Sequence, residues 1–238
     1  MKCLAGALCH QRGCGAGKIA SMPPRSFKSV IFDMDGLMLD TEPIYWSSMQ
    51  QAALELGYSF DNEMRTAFVG RSIPEWLATL TQTFGADYPQ FRSRRRQLWE
   101  QHVQEVGVAR KPGLDELLNQ LDEAGLLKAI ATSSLRPDAT LCLGGLAGRF
   151  DTIVTGDEVQ RGKPEPDIFL LAAQRLGVAP EFCLVLEDSE SGALAGLAAN
   201  MSVIVVPDLK QPSGELSAQI RGVYSSLHDV RQWLRMPC

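Results

Sequence analysis

The chain of 238 residues is long enough for one large domain, or a domain with a smaller module, at about 150 residues per domain. Its 45% hydrophobic and 21% charged residues match ordinary globular usage, which excludes collagen-like, largely disordered and disulfide-scaffold chains. The net charge of -5, from 23 Lys+Arg against 28 Asp+Glu, argues against a nucleic-acid or anionic-membrane binder, and no apolar run approaches the roughly 18 residues of a membrane span.

The start is unlike the rest. Cys3, Cys9, His10 and Cys14 cluster among the basic residues Lys2, Arg12, Lys18 and Arg25, with no acid before Asp33. The spacings form no paired C-x-x-C hooks for a metal, and Leu4 to Leu8 is too short for a secretory segment. The piece GCGAGKIA lacks the offset Gly, the Ser/Thr after Lys18 and the preceding strand of a phosphate loop. Residues 1–26 therefore read as a disordered leader or a transit segment. Six cysteines are too few for a disulfide framework, and Cys142 and Cys183 sit in apolar stretches as small hydrophobes. A reducing compartment follows: the cytoplasm, or an organelle if residues 1–26 are a transit peptide.

From Lys28 onward short apolar runs alternate with segments of helical period. Val30 to Phe32, Ala129 to Ala131, Ile153-Val154, Cys183 to Leu186 and Val203 to Val206 have the continuous apolar character of parallel strands buried on both faces. Between them Leu114, Leu117, Leu118 and Leu121 close on Gly125, then Ile168, Leu171, Ala172 and Leu176 on Gly177, then come Ala193, Leu194, Leu197 and Ala198. Pro164 and Pro166 suit the first turn of the second of these helices. The repeated alternation predicts an α/β fold, a doubly wound parallel sheet with helices on both faces.

Residues 42–110 break the alternation. They carry helical patterns at Ile44 to Leu56, Pro74 to Phe84 and Phe91 to Val106, and hold 10 of the chain's 17 aromatic residues. The concentration predicts a second small core, a helical insertion of residues 42–110 between the first strand and the rest of a Rossmann-like domain of residues 27–41 and 111–238. Arg92, Arg94, Arg95 and Arg96 read as a solvated helix face, with a phosphate or partner patch as the alternative.

Ligands of doubly wound sheets bind at the carboxyl ends of the strands. The first run ends in Asp33 and Asp35, two apart and so on one side of an extended chain, with Gly36 to turn the backbone. The fourth ends in Glu187 and Asp188. Four carboxylates on one edge repel one another, which a hard divalent cation relieves, and a donor set of oxygens alone favours Mg²⁺ over Zn²⁺. Thr132, followed by Ser133 and Ser134, offers a hydroxyl and turn amides, and Lys163 a compact positive charge. Together these groups suit phosphoryl transfer, with Asp33 attacking in line and Asp35 as general acid and then base. Singly, each piece is also explained by a turn, a capping lysine or an acid pair at a helix start.

These residues resemble the motifs of the haloacid-dehalogenase-like phosphohydrolase superfamily: DMDGLMLDTEP the first, ATSS the second, GKPEPDIF the third and LEDSESG the fourth. The resemblance runs from about Ser29 to Val206. It implies Asp33 as nucleophile, Asp35 as acid/base, Thr132 and Lys163 as phosphate binders, and Mg²⁺ held by Asp33, the Asp35 carbonyl, Asp188 and Glu187. It also implies the sheet order 5-4-1-2-3, the helical cap, and Thr41 at the hinge. Asp35 argues against true dehalogenases, which lack that acid. Sugar phosphomutases carry a cap His where this chain has Tyr45, and a cap Lys, whereas no Lys stands between Lys28 and Lys111.

The expected activity is therefore Mg²⁺-dependent hydrolysis of a small phosphorylated metabolite, sugar phosphates among them, by a monomer that binds neither nucleic acid nor membrane. Tyr45, Trp46, Arg71 and Trp76 are the expected selectivity residues of the cap, each aromatic having packing in the cap's own core as its alternative. A sugar phosphomutase and a catalytically idle metal- or phosphate-binding protein are the rivals.

Overall fold

All five expected apolar runs are strands in the computed structural model, which describes residues 26–61, 64 and 73–235. They are β1 (Ser29–Phe32), β2 (Leu127–Ala131), β3 (Thr152–Val154), β4 (Cys183–Glu187) and β5 (Ser202–Val205). A sixth, β6 (Gly222–Val223), extends the β5 edge, and all pairs are parallel in the order β3-β2-β1-β4-β5-β6. Read from the other end this is 5-4-1-2-3 with one strand more.

The strands are continuous apolar runs because both faces are covered. Val30, Phe32, Ile130, Leu184 and Leu186 enter one core, while Ile31, Ala129, Ala131, Val185 and Val203 alternate into the other. In β1, Val30, Ile31 and Phe32 are each 0% exposed, and burying such a side chain is worth about 1.5–3 kcal/mol. Helices α4 (Leu114–Glu123), α5 (Arg136–Leu143) and α9 (Leu227–Arg235) cover the first face; α6 (Asp167–Leu176), α7 (Glu190–Ala198) and α8 (Gly214–Ser217) cover the second. Pro164 and Pro166 precede α6 rather than forming its first turn, since Pro166 is the N-cap residue. Cys142 and Cys183 are buried free thiols.

Between β1 and β2 lie α1 (Glu42–Glu55), α2 (Ile73–Phe84) and α3 (Tyr88–Glu105). Trp46, Met49, Phe60, Leu80, Phe84 and Phe91 form a core of their own there, with Phe84 and Phe91 stacked at 3.9 Å. The chain leaves and re-enters the sheet domain through two paired segments: Asp40 N–H donates to Ala109 O at 2.8 Å and Lys111 N–H to Met38 O at 2.8 Å. That pairing sets α1 and α3 over the carboxyl ends of the strands. No described helix is long and apolar enough to cross a membrane. The N-terminal cysteine cluster lies outside the described residues.

Candidate active site

Asp33 is the first residue beyond β1, its N–H still held by Leu186 O at 2.9 Å, so its side chain is fixed at the sheet edge by the strand itself. Lys163 reaches that edge from the loop before α6. Its ammonium lies 2.5 Å from Asp33 Oδ1 and 2.6 Å from Glu187 Oε1, and it donates to Ala131 O at 3.0 Å. All three of its donors are thereby used, and the loop is tied across the ends of β1, β2 and β4.

Glu187 closes β4 and is 0% exposed. Its Oε2 accepts from Asp188 N–H at 3.1 Å, Ser189 N–H at 3.1 Å and the Ser189 hydroxyl at 2.9 Å, while Oε1 takes Lys163. Ser189 in turn caps α7, accepting from Gly192 N–H at 3.1 Å. The carboxylates of Asp33, Glu187 and Asp188 each place an oxygen within 4.8 Å of the others.

This crowding shows in their acidity. Burial pushes the Asp33 carboxyl up to about 8, the pull of Lys163 being opposed by the repulsion of Glu187 and Asp35. Burial, then the charges of Asp33 and Glu187, push Asp188 up to about 9. Burial works against the Lys163 ammonium, yet Asp33 and Glu187 outweigh it and raise its pKa. One ammonium among three carboxylates leaves the cluster short of positive charge, and oxygen donors alone suit a hard dication.

Asp35 stands outside this three-carboxylate group. Its Oδ2 accepts from the Ser134 hydroxyl at 2.7 Å and the Thr132 hydroxyl at 3.3 Å, and Ser134 N–H donates to Thr132 Oγ1 at 3.1 Å. The side chain tethered to Asp35 is thus Ser134 rather than Ser133, which is exposed. Gly36 turns the chain with φ +83, where an added Cβ would lie 2.5 Å from Asp188 Oδ2 and 3.3 Å from Asp208 Oδ2. Asp208, past the end of β5, is not among the expected site residues although it too follows an apolar run. Lys111 bridges it to Asp40, at 2.7 Å and 2.9 Å, and so joins the paired segments that lead to the helical unit to the site edge.

Two clefts of about 240 Å³ and 290 Å³ share Asp35, Thr41 and Glu42. The first runs past Asp188 and Asp208; the second runs under the cap, past Tyr45, Arg95, Arg96 and Trp99. Of the four expected selectivity residues, Tyr45 lines the cleft. Trp46 is 6% exposed in the cap core and Trp76 packs on it at 5.4 Å, because both rings fill the space between α1 and α2. Arg71 lies outside the described residues. The cap also lines the cleft with Arg95 and Arg96, which read in the sequence as part of a solvated face. Arg96 crosses to the sheet domain, its guanidinium 2.5 Å and 2.8 Å from the two oxygens of Asp138.

A parallel sheet interrupted after its first strand by a helical unit, with acids at the ends of β1 and β4 and a lysine before α6, is accompanied by a family match over residues 30–206, to haloacid dehalogenase-like hydrolases. The chain belongs to that family. It is 33% identical over 181 residues to a phosphorylated carbohydrates phosphatase of Thermotoga maritima, covering 74% of this chain and 83% of that protein. A bifunctional riboflavin kinase/FMN phosphatase of Arabidopsis thaliana is 31% identical over 207 residues, and there the match spans 85% of this chain but only 54% of the relative. Among solved structures, a candidate beta-phosphoglucomutase of Thermotoga maritima superposes with a TM-score of 0.78 at 29% identity, covering 88% of this chain and 99% of that one.

Proposed function

We propose that this haloacid dehalogenase-like hydrolase is an Mg²⁺-dependent phosphomonoesterase acting on small phosphorylated metabolites, sugar phosphates among them. The observation that carries it is the meeting of Asp33, Lys163, Asp188, Thr132 and Asp35 at the carboxyl ends of adjacent strands, under a cap.

In this mechanism an Asp33 oxygen attacks phosphorus, the ester P–O bond breaks, and Asp35 gives its proton to the departing alkoxide. Asp35 then takes a proton from water as the water oxygen bonds to phosphorus and the Asp33–phosphorus bond breaks. The Thr132 hydroxyl binds one phosphoryl oxygen, the Lys163 ammonium binds another by giving up one of its three contacts, and Ser134 holds Asp35 in line. The oxygen-only, charge-deficient cluster fits Mg²⁺, with Asp33, Asp188 and the Asp35 carbonyl as its ligands. When bound, the ion screens carboxylate from phosphate. Glu187, with four hydrogen bonds already made, orients Lys163 and the turn that carries Asp188.

A mutase would differ only in the acceptor, a sugar hydroxyl in place of water, and the likeness to a candidate beta-phosphoglucomutase favours keeping that second reading. The test is phosphate release from a panel of phosphomonoesters, with Mg²⁺ and with chelator, for the wild type and Asp33→Asn. Mg²⁺-dependent release that Asp33→Asn abolishes is the expected result. Absence of release by folded protein overturns the hydrolase reading, and hexose phosphate isomerisation followed by phosphorus NMR replaces it with the mutase.

A further inference from the structure

Arg92, Arg94, Arg95 and Arg96 fall within about one and a half turns of α3. Two of them have acidic partners. Arg94 lies 2.5 Å from Glu55 Oε2, and Arg96 is held by Asp138 and, at 2.6 Å, by Glu100. Arg95 differs. It is half-buried in the wall of the larger cleft, its guanidinium stacked over the Tyr45 ring at 4.8 Å, with no carboxylate in ion-pair range among the described residues.

Stacking occupies the face of a guanidinium and leaves its in-plane N–H groups aimed at whatever enters beside it. A partly desolvated cation without a counter-ion is costly to keep, so its natural complement is an anion that arrives with the ligand. The same cleft ends at Asp35 and Ser134, where a phosphoryl group is turned over in the phosphomonoesterase reading on which this inference rests. We propose that Arg95, seated on Tyr45, is the specificity-determining residue for a second anionic group. The preferred substrates are then phosphomonoesters carrying a further carboxylate or phosphate remote from the scissile phosphoryl group. A neutral polyol tail would instead be served by Glu42 on the same wall, so the two ligand classes make opposite predictions.

The experiment compares phosphoglycolate, phosphoglycerate and fructose bisphosphate with glycerol phosphate and glucitol phosphate. kcat/KM is measured for the wild type, Arg95→Gln and Arg95→Lys, and binding to Asp33→Asn and Asp33→Asn/Arg95→Gln is measured by calorimetry. The preference for anionic over neutral tails is expected to fall about 10- to 100-fold in Arg95→Gln and to be partly restored in Arg95→Lys. Whichever tail, carboxylate or phosphate, loses more is the one Arg95 recognises. A ratio that Arg95→Gln leaves unchanged overturns the proposal, as does a wild-type preference for neutral tails. If no compound is hydrolysed, the phosphatase reading falls and the calorimetric ratio alone decides for or against Arg95. Failure of every anionic-tailed compound to bind decides against it.

Discussion

Replacing Gly192 with alanine sets two effects of opposite sign against each other. Gly192 lies in the first turn of α7, where Gly→Ala adds up to the roughly 1 kcal/mol of stability it brings in a helix interior. Here the new Cβ would lie 1.7 Å from Glu187 Oε1, 1.9 Å from its Cδ and 2.4 Å from its Oε2. Such a collision ends only when the carboxylate moves. Glu187 is 0% exposed, and moving it breaks the 2.6 Å contact with Lys163 and the bonds to the Asp188–Ser189 turn. Disrupting a buried charge pair costs about 3–5 kcal/mol. Offset by the helical gain, the variant should be about 2–4 kcal/mol less stable, and for a chain of this size its melting temperature should fall by roughly 4–16 °C. Denaturant and thermal unfolding of wild type, Gly192→Ala and Gly145→Ala give the comparison. A Cβ at Gly145 meets open space, and that control should stay within about 0.5 kcal/mol. Gly192→Ala matching or exceeding wild-type stability would refute the assignment of Glu187 as an immovable organiser of the site.

Two further expectations concern the periphery. Glu158, in the turn after β3, feels burial that raises its pKa, but Arg175, the Thr155 N–H and hydroxyl, and Arg136 outweigh it and bring the carboxyl down to about 2. A folded pKa below the unfolded one stabilises above the ordinary carboxylate range and fades as pH falls toward about 2, so Glu158→Gln should flatten the acid limb of the stability profile between about pH 4.3 and pH 2. An acid limb identical to wild type would remove Glu158 from the account. Asp138→Ala, which frees Arg96 from the sheet domain, should cost under about 1 kcal/mol of stability, because the side chains are 25% and 37% exposed. It should nonetheless raise KM by about two- to fivefold through loss of cap registration; an unchanged KM would sever that tie from substrate binding.

Much of the site was legible because its residues are tied to strand ends. Runs buried on both faces announce themselves as continuous apolar stretches, and the polar residue that ends each run is carried to the sheet edge whatever else the chain does. Asp33, Asp35, Thr132, Glu187 and Asp188 follow from that rule, as does the parallel sheet. The same rule applied to Val203–Val206 would have reached Asp208. By contrast β6, two residues long with Gly222 in it, has no apolar run to declare it and exists by pairing with β5.

The cap was harder for a physical reason. Helical period tells which residues share a face, but not which face meets the sheet domain. Trp46 and Trp76 were free to be site or core until α1 and α2 packed together and enclosed them. Arg94, Arg95 and Arg96 are consecutive, yet successive residues point about 100° apart, so Arg94 meets α1, Arg95 the cleft, and Arg96 both the cleft edge and Asp138. The amino-acid sequence by itself determined β1 to β5, their end residues and the helical nature of the insertion, since these depend on local period and burial. Which cap side chains look into the cleft was decided only by the tertiary structure, through the paired segments at Asp40 and Lys111 that hold the helical unit over the sheet domain.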